Sequence, residues 1–188
     1  MKTQRNYIIL TGGPGSGKTT VINALARKGY KCIAETGRKI IQEEVLNGGL
    51  ATPWDNPKAY ADKMLHYAIK DYTTMQNETS LIFFDRGIPD VLGYVNLVKI
   101  EQTPALLEAI KEFRYNPVVY ILPPWEEIYQ TDTERKQDFE EAIATYKEML
   151  KVYHNNEYTV VEVPYISVDE RVQFILEDIT TRLSTKQK

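Results

Sequence analysis

The sequence predicts a three-layer α/β domain whose mainly parallel sheet is covered by helices, and three observations carry that expectation. Short β-rich runs alternate with longer helical runs along the chain. The run Leu81–Phe84 (LIFF) is apolar at each position, the mark of a strand buried on both faces. The run Tyr7–Leu10 (YIIL) leads into a glycine-rich turn, and a helical pattern starts directly behind it. A length of 188 residues with 43% hydrophobic composition fits one domain over residues 1–188, with a full core and a small insert; two domains would be cramped.

Each element has its own signal. Behind the glycine turn a helix is expected over about Lys18–Lys28, ended by Gly29 just past its last turn. The second strand reads Lys31–Ala34 (KCIA). In RKIIQEEVLN the apolar Ile40, Ile41, Val45 and Leu46 recur at helical spacing until Gly48-Gly49 stops them. Pro53 and Pro57 break the periodicity, and a long helix follows from Lys58 to about Gln76. After LIFF, which ends at Asp85, come helical stretches near Asp90–Lys99 and Pro104–Phe113. The fourth strand, Val118–Leu122, is closed by Pro123-Pro124. A charged stretch, residues 126–141, precedes a helix with Phe139, Ala142, Ile143, Tyr146 and Leu150 on one stripe. The fifth strand is Thr159–Val163. The last helix opens on Ser167-Val168-Asp169-Glu170, a capping box in which Ser167 and Glu170 satisfy each other's backbone N–H groups. Its apolar face, Val168, Val172, Ile175, Leu176, Ile179 and Leu183, is assigned to the core.

Composition excludes several classes. A net charge of −3 supplies no global basic field for nucleic acid. A single cysteine, Cys32, permits no internal disulfide and reads as a small buried residue, which suits a reducing, cytoplasmic setting. The N-terminal MKTQRNYIIL is a strand rather than a signal peptide, and no apolar run approaches the ~20 residues that span a bilayer.

The chemistry is concentrated in GGPGSGKT, which fits G-x-x-x-x-G-K-[ST] with Gly12, Gly17, Lys18 and Thr19 at the fixed positions. The preceding strand and the following helix are the context this P-loop motif needs. Glycines let the backbone N–H groups of Gly12, Gly13, Gly15, Ser16 and Gly17 approach a polyphosphate, with Pro14 shaping the turn and Thr20 continuing into the helix. Lys18 brings a point charge to the β- and γ-phosphates, and the Thr19 hydroxyl suits Mg²⁺. No N/T-K-x-D guanine-reading segment is present, which favours ATP over GTP. Asp90-Val91-Leu92-Gly93 matches D-x-x-G but lies beyond the strand end, so it reads as coincidence.

Two carboxylates follow strands that can flank the glycine loop. Asp85 ends LIFF, at the mouth of the sheet where ligands bind in such folds, with Arg86 beside it. Asp85 suits Mg²⁺ held through water, or an acceptor hydroxyl's proton, or a plain cap on the next turn. Glu35 holds the matching place after the second strand, with Arg38 three residues on. In the charged stretch, Arg135 is placed to reach a transferring phosphoryl group from a small helical lid, and Lys136 less so. His66 and His154 lack partners at metal-ligand spacing and read as structural.

Taken together, TGGPGSGKTT, AETGR, FFDRG and YILPPWEEIYQTDTER resemble the small P-loop family that includes the kinase domain of bifunctional nicotinamide riboside kinases, a family described as AAA-type ATPase domains; deoxynucleoside kinases are similar. The resemblance implies a three-layer P-loop fold with five parallel strands in the order 2-3-1-4-5. It also implies acceptor contact by Glu35, a carboxylate–arginine pair at Asp85 and Arg86, a lid arginine at Arg135, and an adenine-binding segment at Val163-Pro164-Tyr165. Glu35-Thr36-Gly37-Arg38 lacks the aromatic neighbour expected of a nicotinamide riboside kinase, so the acceptor stays open. The expectation is a Mg²⁺·ATP-dependent phosphotransferase for a small hydroxyl-bearing molecule lying between Glu35, Arg86 and the loop around Trp54. Tyr60 and Tyr94 are available for stacking, although rings in such helices are more often core. The rival expectation is a nucleotide switch whose output is a protein contact.

Overall fold

Strand β1 (Tyr7–Gly12) is buried along its whole length because it runs through the centre of the sheet. The computed structural model describes residues 2–128 and 139–185. On one side β1 pairs with β3 (Ile82–Asp85), which in turn carries β2 (Lys31–Ile33). On the other it pairs with β4 (Val118–Leu122), which carries β5 (Thr159–Glu162). All four pairings are parallel, and the order is β2-β3-β1-β4-β5, the 2-3-1-4-5 order implied by the family resemblance. A two-residue parallel ribbon, Lys2–Thr3 with Phe113–Arg114, was not foreseen; runs this short leave no periodic signal.

Alternation along β1 sorts the two layers. Ile8 and Leu10 face α1 (Lys18–Arg27) and α7 (Val168–Thr185), packing with Val21, Leu25, Val172 and Ile175. Tyr7 and Ile9 face the other way, toward Leu65 of α3 (Pro57–Thr74), Val91 and Val95 of α4 (Ile88–Leu97), Ile110 of α5 (Pro104–Glu112) and Met149 and Val152 of α6 (Phe139–Asn155). Each fully buried aliphatic side chain contributes about 1.5–3 kcal/mol. The Tyr7 ring meets those of Tyr72 and Phe84 at centroid distances of 5.0 Å, and its hydroxyl donates to the Tyr72 carbonyl at 3.2 Å, so the ring is buried without an orphaned donor.

Helix ends follow the local chemistry. Gly48, at φ 66°, ends α2 (Thr36–Asn47). Asn56 accepts from the Ala59 amide at 3.0 Å and caps α3, whose first residue is Pro57. The capping box of α7 forms: Ser167 N–H donates to Glu170 Oε2 at 3.0 Å and Glu170 N–H to Ser167 Oγ at 3.4 Å. Between α2 and α3, Glu44 accepts from the Ala51 amide at 2.8 Å and pairs with Lys63, closing the loop. Helix α4 starts two residues earlier than Asp90, because the Gly87 amide donates to Asp90 Oδ2 and makes Asp90 part of the first turn.

Some expectations need correction. Leu183 is 51% exposed, and Val45 and Leu46 stand in solvent at 65% and 85%. Periodicity identified their faces, but among the described residues no element covers those ends. Of the charged stretch, Glu126–Ile128 forms one 3₁₀ turn and residues from Phe139 onward belong to α6. Arg135, Lys136 and most of the expected lid lie outside the described residues.

The start of the glycine loop is wedged between elements. Gly12 has φ 135°, and a Cβ there would collide with the Leu122 carbonyl; at Gly13 a Cβ would stand 2.5 Å from the Ala142 carbonyl oxygen. Gly13→Ala is therefore expected to lower stability by about 1–3 kcal/mol through overpacking, measured as a reduced urea midpoint at unchanged m-value.

Candidate functional site

The glycine loop takes the left-handed turns and leads directly into a helix, as the motif's spacing requires. Gly15 and Gly17 adopt φ 73° and 86°, and Gly17 caps α1, whose first turn carries no acidic residue to oppose an anion. Lys18 is buried and donates from Nζ to the carbonyls of Gly12 at 3.0 Å and Gly13 at 2.9 Å; Ser16 Oγ also donates to the Gly13 carbonyl at 2.9 Å. Burial, reinforced by the Arg86 charge and opposed by Asp85 and Glu35, lowers the Lys18 ammonium pKa to about 8. Thr19 and Thr20 are exposed on the first turn of α1 and line the same cleft as Pro14.

The two strand-end carboxylates are brought to the loop in different electrostatic states. Glu35 stands at the N-terminal boundary of α2 without a side-chain capping bond, and its carboxylate accepts from Arg86 Nε at 2.9 Å. Burial works against its charge, but Arg86 and Lys18 outweigh it and hold the carboxyl at about 2. Asp85 ends β3 opposite Leu10 of β1. Its Oδ1 is buried with no hydrogen-bond partner, and burial raises its pKa to about 6 even though Lys18 opposes the shift. The guanidinium of Arg86 is held firmly protonated despite burial by Glu35, Asp90 and Asp85.

Asp90, set aside as coincidence, organises this corner. It accepts from the Thr11 hydroxyl of β1, from the Tyr153 hydroxyl of α6 at 2.5 Å, from the Gly87 amide at 2.8 Å and from Arg86 Nη1 at 3.3 Å. Asp90, not Asp85, thus caps the turn after β3, which leaves the Asp85 oxygen free. Arg86 sits at φ 76°, a left-handed backbone costly for a non-glycine residue, and its amide donates to the Leu10 carbonyl at 2.9 Å. No local sequence signal distinguishes Asp90 from any helix-start aspartate.

These groups open into one cleft of about 1290 Å³. From the glycine loop it runs past Glu35 and Arg86 to a compartment lined by Met64, Phe84, Val91, Tyr94 and Met149. Tyr60 and Tyr94 meet edge to face there at 5.3 Å. Tyr60 is buried and lines the cleft. The Tyr94 hydroxyl is buried without a partner, and burial pushes it up to about 12. Trp54 stands at the mouth, 61% exposed.

The other end of the cleft is walled by Trp125, Ile128, Ile166, Ser167 and Arg171. Pro164 and Tyr165 lie behind this wall: the Pro164 carbonyl accepts from Arg171 Nε at 3.2 Å, and the Tyr165 hydroxyl donates to the Pro124 carbonyl at 2.9 Å with its ring 5.5 Å from that of Trp125. Arg171 escaped the sequence reading, although a signal existed. It falls on the buried stripe of α7, three residues after Val168 and four before Ile175. Among the described residues no group of three His, Cys, Asp or Glu is arranged for a metal, and no helix is long and apolar enough to cross a membrane. Thr19 and Asp85 would offer a hydroxyl and an unpartnered carboxylate oxygen to a Mg²⁺ ion.

Comparison with known proteins agrees with this geometry. Among solved structures, the chain is similar to deoxyadenosine kinase from M. mycoides with dCMP and dCDP bound, with a TM-score of 0.67 at 18% identity over 93% of this chain and 99% of that one. It is similar to the NadR protein in complex with NR, with a TM-score of 0.67 at 18% identity over 94% of this chain and 50% of that one. Thymidylate kinase from Candida albicans gives a TM-score of 0.67 at 18% identity over 94% and 91%. No curated protein matches the chain. A family model described as an AAA domain matches residues 7–171, and the chain belongs to that family, as its glycine loop and strand ends foretold.

Proposed function

We propose that the chain is an ATP-dependent, Mg²⁺-requiring phosphotransferase acting on a small hydroxyl-bearing, nucleoside-like acceptor. One observation carries this reading: the cleft continues beyond the glycine loop into a second, aromatic-walled compartment that starts at Glu35 and Arg86. Hydrolysis by water needs no such room; an organic acceptor does. The likeness of the fold to deoxyadenosine and thymidylate kinases supports it.

In this reading the loop amides and Lys18 hold the triphosphate in line with the acceptor, and positioning does most of the work. Thr19 would hold Mg²⁺ directly and Asp85 only through water, and the ion would neutralise charge on the phosphates. Glu35, fixed by Arg86, is too weak a base to take a proton and instead orients the acceptor hydroxyl. Asp85, with its pKa near neutrality, is the better proton acceptor. Tyr60 and Tyr94 flank the acceptor, and Trp125 with the segment around Pro164 and Tyr165 forms the base end. Arg135 keeps its expected role as a lid arginine. The partner is a small molecule, and residues 1–188 act as one catalytic unit.

A nucleotide switch is the second reading, favoured by the exposed Val45, Leu46 and Leu50 beside the cleft mouth. ADP release measured across nucleosides, sugars and vitamins separates the two. Acceptor-dependent turnover with a phosphorylated product is expected; a rate indifferent to every acceptor would remove the phosphotransferase. Lys18→Ala is expected to lower turnover by roughly 10²-fold or more while the fold survives by circular dichroism.

Asp85 gives a pH test with a defined sign. Its folded pKa of about 6 lies above the ordinary aspartate value of 3.8, so its charge costs the fold stability above that range and nothing once it is protonated. Asp85→Asn should raise the melting temperature of the nucleotide-free protein by roughly 2–5 °C near neutral pH, with the gain fading as pH falls from about 6 toward 4. The same variant should remove the acid limb of the acceptor-dependent rate; a limb persisting unchanged would take Asp85 out of the proton transfer.

A further inference from the structure

The base end of the cleft contains a cation that no ion pair among the described residues balances. Arg171 is 2% exposed. Its Nε and Nη1 donate to the carbonyls of Pro164 and Ser16, each at 3.2 Å, whereas Nη2 is buried with no hydrogen-bond partner. None of the ion pairs among the described residues includes it. The face of Trp125, 4.6 Å away, offsets only part of the hydration that a buried guanidinium gives up. Removing a permanent charge from water without a carboxylate beside it is unfavourable, and a fold retains such a group where another molecule supplies the counter-charge.

Its position says which molecule. Nη1 stands 3.1 Å from the point a Gly17 Cβ would occupy, so the guanidinium lies against the turn that feeds α1. Amides of that turn are the groups that take phosphates. The cleft runs from there to the wall of Trp125 and Ile166. Arg171 therefore stands between the phosphate cradle and the wall suited to a base, at the nucleoside end of any triphosphate lying in the loop.

We propose that Arg171 is a donor-binding residue that pairs through Nη2 with the phosphate nearest the nucleoside, balancing a charge that the free protein carries unpaired. The proposal rests on the nucleotide reading above. A purely structural strut and a ligand for the donor make opposite demands on the free protein. A strut is lost with the side chain, and the free protein melts earlier. A cation awaiting its counter-ion leaves the free protein no less stable when removed, and only the bound state suffers.

The test compares Arg171→Gln, Arg171→Met and Arg171→Lys with the unaltered protein, by melting without nucleotide and by calorimetric titration with Mg²⁺·ATP and with ADP. Both charge-free variants are expected to melt within a few degrees of the parent or above it, to bind ATP and ADP roughly 10–100-fold more weakly, and to raise KM for ATP more than they lower kcat. Arg171→Lys, which keeps the charge without the fork, should recover most of the affinity. Unchanged nucleotide affinity in the charge-free variants would overturn the assignment, as would failure of both to fold while the lysine variant folds. If the unaltered protein binds no nucleotide, the donor-site reading falls and this assignment falls with it; binding by the parent that is indifferent to Arg171 sinks the assignment alone.

Discussion

Four elements meet on one buried carboxylate. Asp90 receives the Thr11 hydroxyl from the central strand, the Tyr153 hydroxyl from α6, the amide that starts its own helix and the guanidinium of Arg86. Arg86 passes the constraint on to Glu35 at the start of α2. A chain of charge-assisted bonds thus ties the glycine-loop strand to the start of α2, on the far side of the cleft. An unsatisfied buried carboxylate would be costly, and the saturation of Asp90 is what makes this arrangement the one the chain adopts.

That network also divides the labour of the carboxylates. Glu35 and Asp85 both stand within the influence of Lys18 and Arg86, yet only Glu35 has a direct ion pair. Asp85 feels burial first and its partners weakly, so its charge is the one most easily given up. Two acids of similar intrinsic strength are thus shifted in opposite directions beside a single arginine, Glu35 down and Asp85 up.

Much of this was legible in the sequence, and the boundary has a physical origin. Strands and helices follow from periodicity and caps, which are local, so the five strands and the Ser167–Glu170 box could be read directly. The glycine loop was legible because its function resides in consecutive backbone amides. Glu35, Asp85 and Arg86 could be named singly, but the bond between Glu35 and Arg86 joins residues 51 apart and depends on two strands lying side by side. Asp90 was invisible as an organising group because its meaning depends on the hydroxyls that a distant strand and helix bring to it. Val45, Leu46 and Leu183 show the converse: an apolar stripe specifies a face, and only tertiary structure decides whether anything covers it.

The bonds from Lys18 to the Gly12 and Gly13 carbonyls have one more consequence. Since the ammonium is held by the loop's own carbonyls, docking an anion exchanges existing bonds instead of freezing a free side chain, so little entropy is lost in the step. Because its pKa stands near 8, the lysine is only partly charged in mildly alkaline solution. An incoming polyanion would draw a proton from the medium there, and the heat of association would then depend on the ionisation enthalpy of the buffer.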